Sequence, residues 1–298
     1  MTDPPASTSA STSASAPAPA PVPVPAPAFA PALAPAPAPP TASRSFASVA
    51  LPPALTFVIV IALWEGAVRA LQVPAFLVPP PSAVLTAVWT ERASLSGSLL
   101  TTAEGAGLGF LLSATLGTLV GLLFSLSRWL ERGLYPYALF LQTVPIVAVA
   151  PLLVLWFGPG LRAVAVSAFI VSVFPIIANT LAGLRSVDPR LADLFRLYGA
   201  KLPDTVLKLR LPTAVPSMLT GFKVAAGLSV IGAIVGEFVA GFAEGNAGLG
   251  ITVLAAYRQL RTDLLFAAVL LASILGLSLF ALITALGALL LRRLRAQG

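Results

Sequence analysis

Apolar residues crowd into six long runs after residue 50, near 52–71, 98–124, 136–157, 162–182, 214–240 and 264–291. Each holds about 20 residues or more, the length a helix needs to cross about 30 Å of hydrocarbon. The pattern predicts an all-α integral membrane protein of about six transmembrane helices. One stretch interrupts it: "DLFRLYGAKLPDTVLKLRLP", residues 193–212, sets six charges between the fourth and fifth runs.

That stretch reads as two short helices. Asp188 followed by Pro189 is an N-cap with proline at the first helical position, and Gly199 supplies a left-handed stop. Between them Leu191, Leu194, Phe195 and Tyr198 fall at i, i+3, i+4 and i+7, on one apolar face. Pro203 and Asp204 open a second helix, with Leu202, Val206 and Leu209 on one stripe and Asp204 four residues ahead of Lys208. It is expected to end at Leu211-Pro212, where the fifth run begins. Such a helix-turn-helix is too short to cross a membrane. Its apolar face suits either a partner protein's surface or, through its basic residues, anionic lipid.

Composition agrees with a membrane protein, since 57% of the chain is hydrophobic and 10% charged. Lys and Arg number 18 against 11 Asp and Glu. Placing the amino terminus inside puts 13 of those 18 on the cytoplasmic side, from Arg44 through the group Arg185 to Lys223 and on to Arg292, Arg293 and Arg295. Arg69, Arg92, Arg162, Arg258 and Arg261 fall outside, and both termini are cytoplasmic. No aromatic and basic patch argues for nucleic acid. With no Cys and no His, disulfides, thiol chemistry, imidazole catalysis and the commonest soft metal sites are excluded.

Residues 1–45 differ in kind. Thirteen prolines precede Thr41 in a Ser, Thr and Ala background, which predicts a disordered cytoplasmic tail of polyproline II character ahead of a six-helix domain at 46–298. Within the runs, Pro145, Pro151 and Pro175 predict kinks in the third and fourth spans. Gly105 and Gly109, Gly117 and Gly121, and Gly232 and Gly236 have the spacing that lets helices approach closely in lipid. The string "GNAGLG" at 245–250 follows no strand and reads as an external turn.

Ionisable residues inside spans mark sites by default. Glu65 lies one turn from Arg69 and is expected to pair with it. Glu104 and Glu237 fall near the outer ends of their spans, where structural or interfacial roles are favoured over substrate contact. Gln142, Thr143, Ser172, Asn179 and Ser229 either line a pathway or bond helix to helix.

The order Asp193-Leu194-Phe195, three residues, Gly199, nine residues, Leu209, one residue, Leu211-Pro212 resembles the cytoplasmic "EAA" loop of binding-protein-dependent ABC importer permeases, which reads Glu-Ala-Ala with the same spacing to Gly, Ile and Leu-Pro. The stretches "LWEGAVRALQVPAFLVPPPSAVL", "TVPIVAVAPLLVLWFGPG", "FPIIANTLAGLRSVDP" and "GAIVGEFVAG" are similar to the nitrate, sulfonate and taurine branch. Asp193 stands where the family has Glu, and Leu194 and Phe195 stand for two alanines.

The resemblance implies the transmembrane subunit of a type I ABC importer in a bacterial inner membrane. Two permease subunits, a homodimer here, pair with two ATPase subunits, and an extracytoplasmic binding protein delivers the solute. Asp193 then acts as a contact to the ATPase and Gly199 as a hinge. ATP and Mg belong to the ATPase partner, this chain binds no cofactor and no metal, and it has no catalytic residues. No Gly-x-x-x-x-Gly-Lys-Ser/Thr loop occurs, in keeping with that division. The solute is a nitrate-, sulfonate- or taurine-like anion, or a heterocycle such as a thiamine or flavin precursor. "GAIVGEFVAG" and "DLFRLYGA" look most like the heterocycle-handling members. The rival from another class is a stand-alone secondary transporter or channel driven by an ion gradient.

Overall fold

The computed structural model describes residues 46–240 and 247–296. The chain divides into two units, Met1–Leu51 and Pro52–Gly298. Of the first, only the opening turns of α1 are among the described residues, and the Pro-rich segment lies outside them. All that follows concerns the second unit.

Helix α1 (Phe46–Ala70) is followed by α2 (Pro81–Thr90), α3 (Arg92–Leu126), α4 (Arg128–Thr143), α5 (Ile146–Phe157) and α6 (Leu161–Arg185). After two short helices, α7 (Pro189–Leu197) and α8 (Leu202–Thr205), a π-turn at Val206–Arg210 leads into α9 (Leu211–Ala240), α10 (Leu249–Arg258) and α11 (Thr262–Ala296). Five of these segments are long and apolar enough to cross a membrane, and the bent pair α4 and α5 makes a sixth if it is counted as one broken span.

The third span corrects the sequence reading. Instead of one kinked helix over 136–157, two helices meet at 101° around Val144 and Pro145. The cause is local: the ring of Pro145 excludes Val144 from helical geometry, and Val144 is extended at φ −67°, ψ 124°. Pro175, by contrast, sits inside α6 without breaking it.

The core is α3, α6 and α9, and glycine decides its geometry. Along α3, Gly105, Gly109, Gly117 and Gly121 meet Val164, Ala168, Ile176 and Thr180 in that order, so α3 and α6 run parallel. Helices α4 and α5 must therefore return the chain to the end from which α3 began. Along α9, Gly221, Gly232 and Gly236 meet Asn179, Ala168 and Ser167, so α9 runs antiparallel to α6. A Cβ at Gly232 would lie 2.7 Å from the Cα of Ala168, backbone that has nowhere to go. In lipid no hydrophobic effect drives helices together, so this close packing carries the association.

The remaining contacts close the far end. The Glu65 carboxylate accepts from Arg69 at 2.7 Å and from the Ser82 backbone N–H at 3.0 Å, which ties α1 to the start of α2. Arg261 bonds Glu91 at 3.0 Å, and the Thr262 hydroxyl donates to the Ala75 carbonyl at 2.6 Å. Trp64 packs against Phe266 with ring centroids 5.7 Å apart and the planes tilted by 49°. Opposite this end, the ends of α3 and α6 and the start of α9 gather Arg128, Arg132, Arg185 and Arg210, with α7 and α8 between them.

Candidate functional site

The chain between α6 and α9 forms a hairpin whose ends are set by three local devices. The Asp188 side chain accepts the Arg190 N–H at 2.9 Å, and Pro189 follows at the first helical position. At the other end of α7, Gly199 adopts φ +68°, a region that favours glycine, and the Ala200 N–H reaches back to the Phe195 carbonyl at 3.0 Å. Asp204 pairs with Lys208 at 2.7 Å, and Asp193 with Arg196 at 3.8 Å.

The second arm departs from expectation. It does not end at Leu211-Pro212 but runs unbroken through the π-turn into α9, giving one helical segment from Leu202 to Ala240. Proline explains the turn type. Pro212 has no N–H for the carbonyl four residues back, and its ring would collide with that carbonyl. The wider turn, in which the Leu211 N–H reaches the Val206 carbonyl, relieves the clash.

The apolar side chains of the hairpin split into two sets. Val206 and Leu209 are buried against the bundle and anchor the second arm. Leu191, Leu194, Leu197, Tyr198 and Leu202 face outward; Leu197 is 85% and Tyr198 83% exposed. Helix α7 has no buried residue at all. Asp193 and Gly199 lie on this open part, with Leu194 exposed and Phe195 half-buried beside them. Leu209 belongs to the anchor, while Leu211 is half-buried and Pro212 exposed at the start of α9.

The intramembrane polar residues also divide. Ser172 is fully buried, donating to the Ala168 carbonyl at 2.7 Å and bonding Ser113 at 2.7 Å. The Asn179 side chain donates to the Pro175 carbonyl within α6, while its backbone carbonyl accepts from the Ser217 hydroxyl, which joins α6 to α9. Ser229 is buried and bonds its own helix. These three join helices or satisfy their own. Gln142 and Thr143 are exposed at the end of α4 beside the 101° bend.

Three participants escaped the sequence reading. Ser113 donates to the Phe169 carbonyl, and Ser167 to the Gly232 carbonyl at 2.7 Å. The signal for Ser113 was present: Gly105, Gly109, Ser113, Gly117 and Gly121 form one row at intervals of four. The third is Lys223, grouped by sequence with the charged segment but placed by the structure in the interior of α9. It is half-buried and has no ion-pair partner among the described residues.

At the far end Glu237 is 2% exposed and accepts the Gly250 N–H at 2.7 Å, while Thr102 accepts the Leu249 N–H at 2.8 Å. Side chains of α9 and α3 thus satisfy the first turn of α10, whose cap residue Gly248 has no side chain to do so. The reading of 245–250 as a turn is corrected at Leu249 and Gly250, which are helical; residues 241–246 lie outside the described ones. A side chain at Gly248 would strike the Glu237 carboxylate. Nearby, α9, α10 and α11 enclose a cleft of about 350 Å³ lined by Ile231, Phe238, Val253, Val269 and Ser273, with no charged side chain.

Comparison with known proteins turns this arrangement into a family. Residues 113–296, more than half of the chain, match the family described as binding-protein-dependent transport system inner membrane component. The formylaminopyrimidine transport permease protein ThiX of Halalkalibacterium halodurans is 34% identical over 242 residues, covering 81% of this chain and 95% of that protein. The riboflavin transport system permease protein RibX of Chloroflexus aurantiacus is 33% identical over 245 residues, 82% and 90% of the two chains. Among solved structures, an inward-facing form of the MetNI methionine ABC transporter superposes with a TM-score of 0.55 at 20% identity, over 69% of this chain and 98% of that one, a likeness of fold. The chain belongs to the binding-protein-dependent transport system inner membrane components and is a permease of the type I ABC importers, in the branch that includes the aliphatic sulfonate and nitrate permeases.

Proposed function

We propose that this chain forms the translocation pathway of an ATP-driven importer in a bacterial inner membrane. Two copies pair, and a separate ATPase subunit seats on the hairpin of each. The observation that carries the reading is the open face of α7 and α8. Five large apolar side chains there are exposed on helices too short to cross a membrane and fixed by an N-cap and a left-handed glycine. An amphipathic helix held this way suits a groove on a partner. Asp193 makes the polar contact, and Gly199 lets the two arms change their angle. ATP and Mg²⁺ bind the partner, and an extracytoplasmic binding protein delivers the solute at the opposite end. The basic residues gathered at the hairpin end support a cytoplasmic position for that end and for both termini.

For the solute we favour a small heterocycle of the pyrimidine or flavin kind over nitrate or a sulfonate. Both relatives described above carry such a ring in their names, and the uncharged cleft beside Phe238 suits an aromatic ring better than a bare anion.

The test is purification of the chain from its native membranes in mild detergent. A nucleotide-binding subunit should come with it in equal amount, and Gly199→Pro, which removes the N–H donated to the Arg196 carbonyl, should release that subunit. Recovery of the chain alone, active in vesicles without ATP, would overturn the reading in favour of an ion-driven transporter.

A further inference from the structure

A second feature of the hairpin end is a cavity of about 750 Å³ built by four elements. Ser125 closes α3, Arg128, Glu131, Arg132 and Tyr135 come from α4, Arg185 ends α6, and Ala192 and Arg210 belong to the hairpin and its π-turn. The cavity holds four arginines and one acid. Glu131 is already engaged, since both its oxygens accept from Arg185. Arg128, Arg132 and Arg210 have no hydrogen-bond or ion-pair partner among the described residues.

Three guanidinium groups turned on one concavity repel one another and hold open donors. The bias of basic residues toward one side of a membrane explains why they lie at this end. It does not explain why they converge without counter-ions, when Arg196 and Lys208 on the same hairpin each have a carboxylate. Guanidinium forks match phosphate oxygens in geometry and charge. The cavity has the size of small-molecule sites, about 300–1,000 Å³.

Depth identifies the source of that phosphate. The cavity lies where α3 and α6 end, and Trp129, the neighbour of Arg128, is 83% exposed, as aromatic residues at the headgroup level are. Basic pockets between membrane helices at this level bind acidic headgroups. We infer that the cavity among Arg128, Arg132, Arg185 and Arg210 is a binding site for the phosphate of an anionic phospholipid headgroup. Because Arg128 and Arg132 sit on α4 while Arg210 sits at the root of the hairpin, the bound headgroup ties the hairpin to the bundle.

The inference needs only that the chain spans a membrane, so it stands or falls separately from the ATPase partner. The full chain, purified with whatever subunits accompany it and stripped of lipid, is titrated with phosphatidylglycerol, phosphatidylcholine and inorganic phosphate. Thermal midpoint is the first readout, and lipid retained in native mass spectrometry the second. Phosphatidylglycerol should raise the midpoint and be retained, and phosphatidylcholine should do neither. Each of R128Q, R132Q and R210Q should weaken retention about five-fold, and the triple variant on the order of a hundredfold, while R292Q with R293Q should leave it unchanged. The single variants keep the test valid if the triple variant does not fold. Equal retention in the single variants, or equal stabilisation by phosphatidylcholine, would overturn the site. A midpoint shift by inorganic phosphate alone, lost in the same variants, would overturn the lipid assignment in favour of a free phosphate.

Discussion

Helix α6 and helix α7 are separated by three residues, yet they use apolar residues in opposite ways. On α6, Ala163, Ala165, Ala168 and Ile176 are buried, and the glycines of α3 and α9 bring backbone against backbone. On α7 nothing is buried, and the larger residues Leu191, Leu194 and Leu197 look outward. Exposure has a different meaning in the two settings. Leu155 on α5 is 77% exposed, and that is ordinary for a helix facing lipid tails, which are as apolar as leucine. Leu197 at 85% lies on a helix of nine residues, too short to cross a membrane, and there the same exposure makes a candidate docking surface. Small residues mark where the helices of this molecule meet one another, and the large exposed ones on α7 are those proposed to meet a partner.

Substitutions can break that contrast. The largest effect is expected from Gly232→Leu, which drives a side chain into the α6 backbone. Overpacking costs roughly 1–3 kcal/mol and more where backbone is struck. Monodisperse protein should be lost on size exclusion, and a parental yield would refute the glycine-stitched core. Next is Glu237→Ala, which leaves the Gly250 N–H buried without an acceptor at a cost of about 1–3 kcal/mol. The thermal midpoint should fall, with Glu237→Gln, which keeps an acceptor, between variant and parent.

Gly199→Val sharpens the other side of the comparison. A β-branched residue at φ +68° costs about 1–2 kcal/mol, confined to the hairpin. ATP-driven uptake should be lost while the midpoint stays near the parental value, and a fall as large as that of Glu237→Ala would show that the hairpin is part of the core. The smallest effect belongs to Asp204→Asn. It removes an exposed i, i+4 pair worth about 0.3–0.5 kcal/mol, so a midpoint within error of the parent is expected.

The residues that act locally were legible in the sequence. Asp188, Pro189 and Gly199 set the ends of α7 through bonds that reach no farther than a few residues, and the Glu65–Arg69 and Asp204–Lys208 pairs lie one turn apart. Glycine spacing foretold which faces of α3 and α9 approach a neighbour, though not that both approach α6. What stayed hidden was long-range. The Glu237 contact to Gly250 and the Ser167 bond to Gly232 join residues whose proximity depends on how helices cross. The bend at Pro145 was misread for another reason. Hydropathy counts apolar residues whether or not the axis turns among them, so α4 and α5 summed to one kinked span.

The segment from Leu202 to Ala240 has 39 residues, about 58 Å of continuous helix at 1.5 Å per residue and nearly twice the hydrocarbon thickness. Under the docking proposed for the hairpin it would act as a drive shaft. A torque applied at Leu202 would then reach the far side, where the Ala240 carbonyl holds the Gly160 N–H and Glu237 seats α10. The π-turn at Val206–Arg210 then fixes the phase of that shaft, since its extra residue sets the angle between the face that meets the outside and the face that meets α6. Removing one residue there would turn the two faces relative to each other by about 100°, leaving both ends intact and the transmission mistimed.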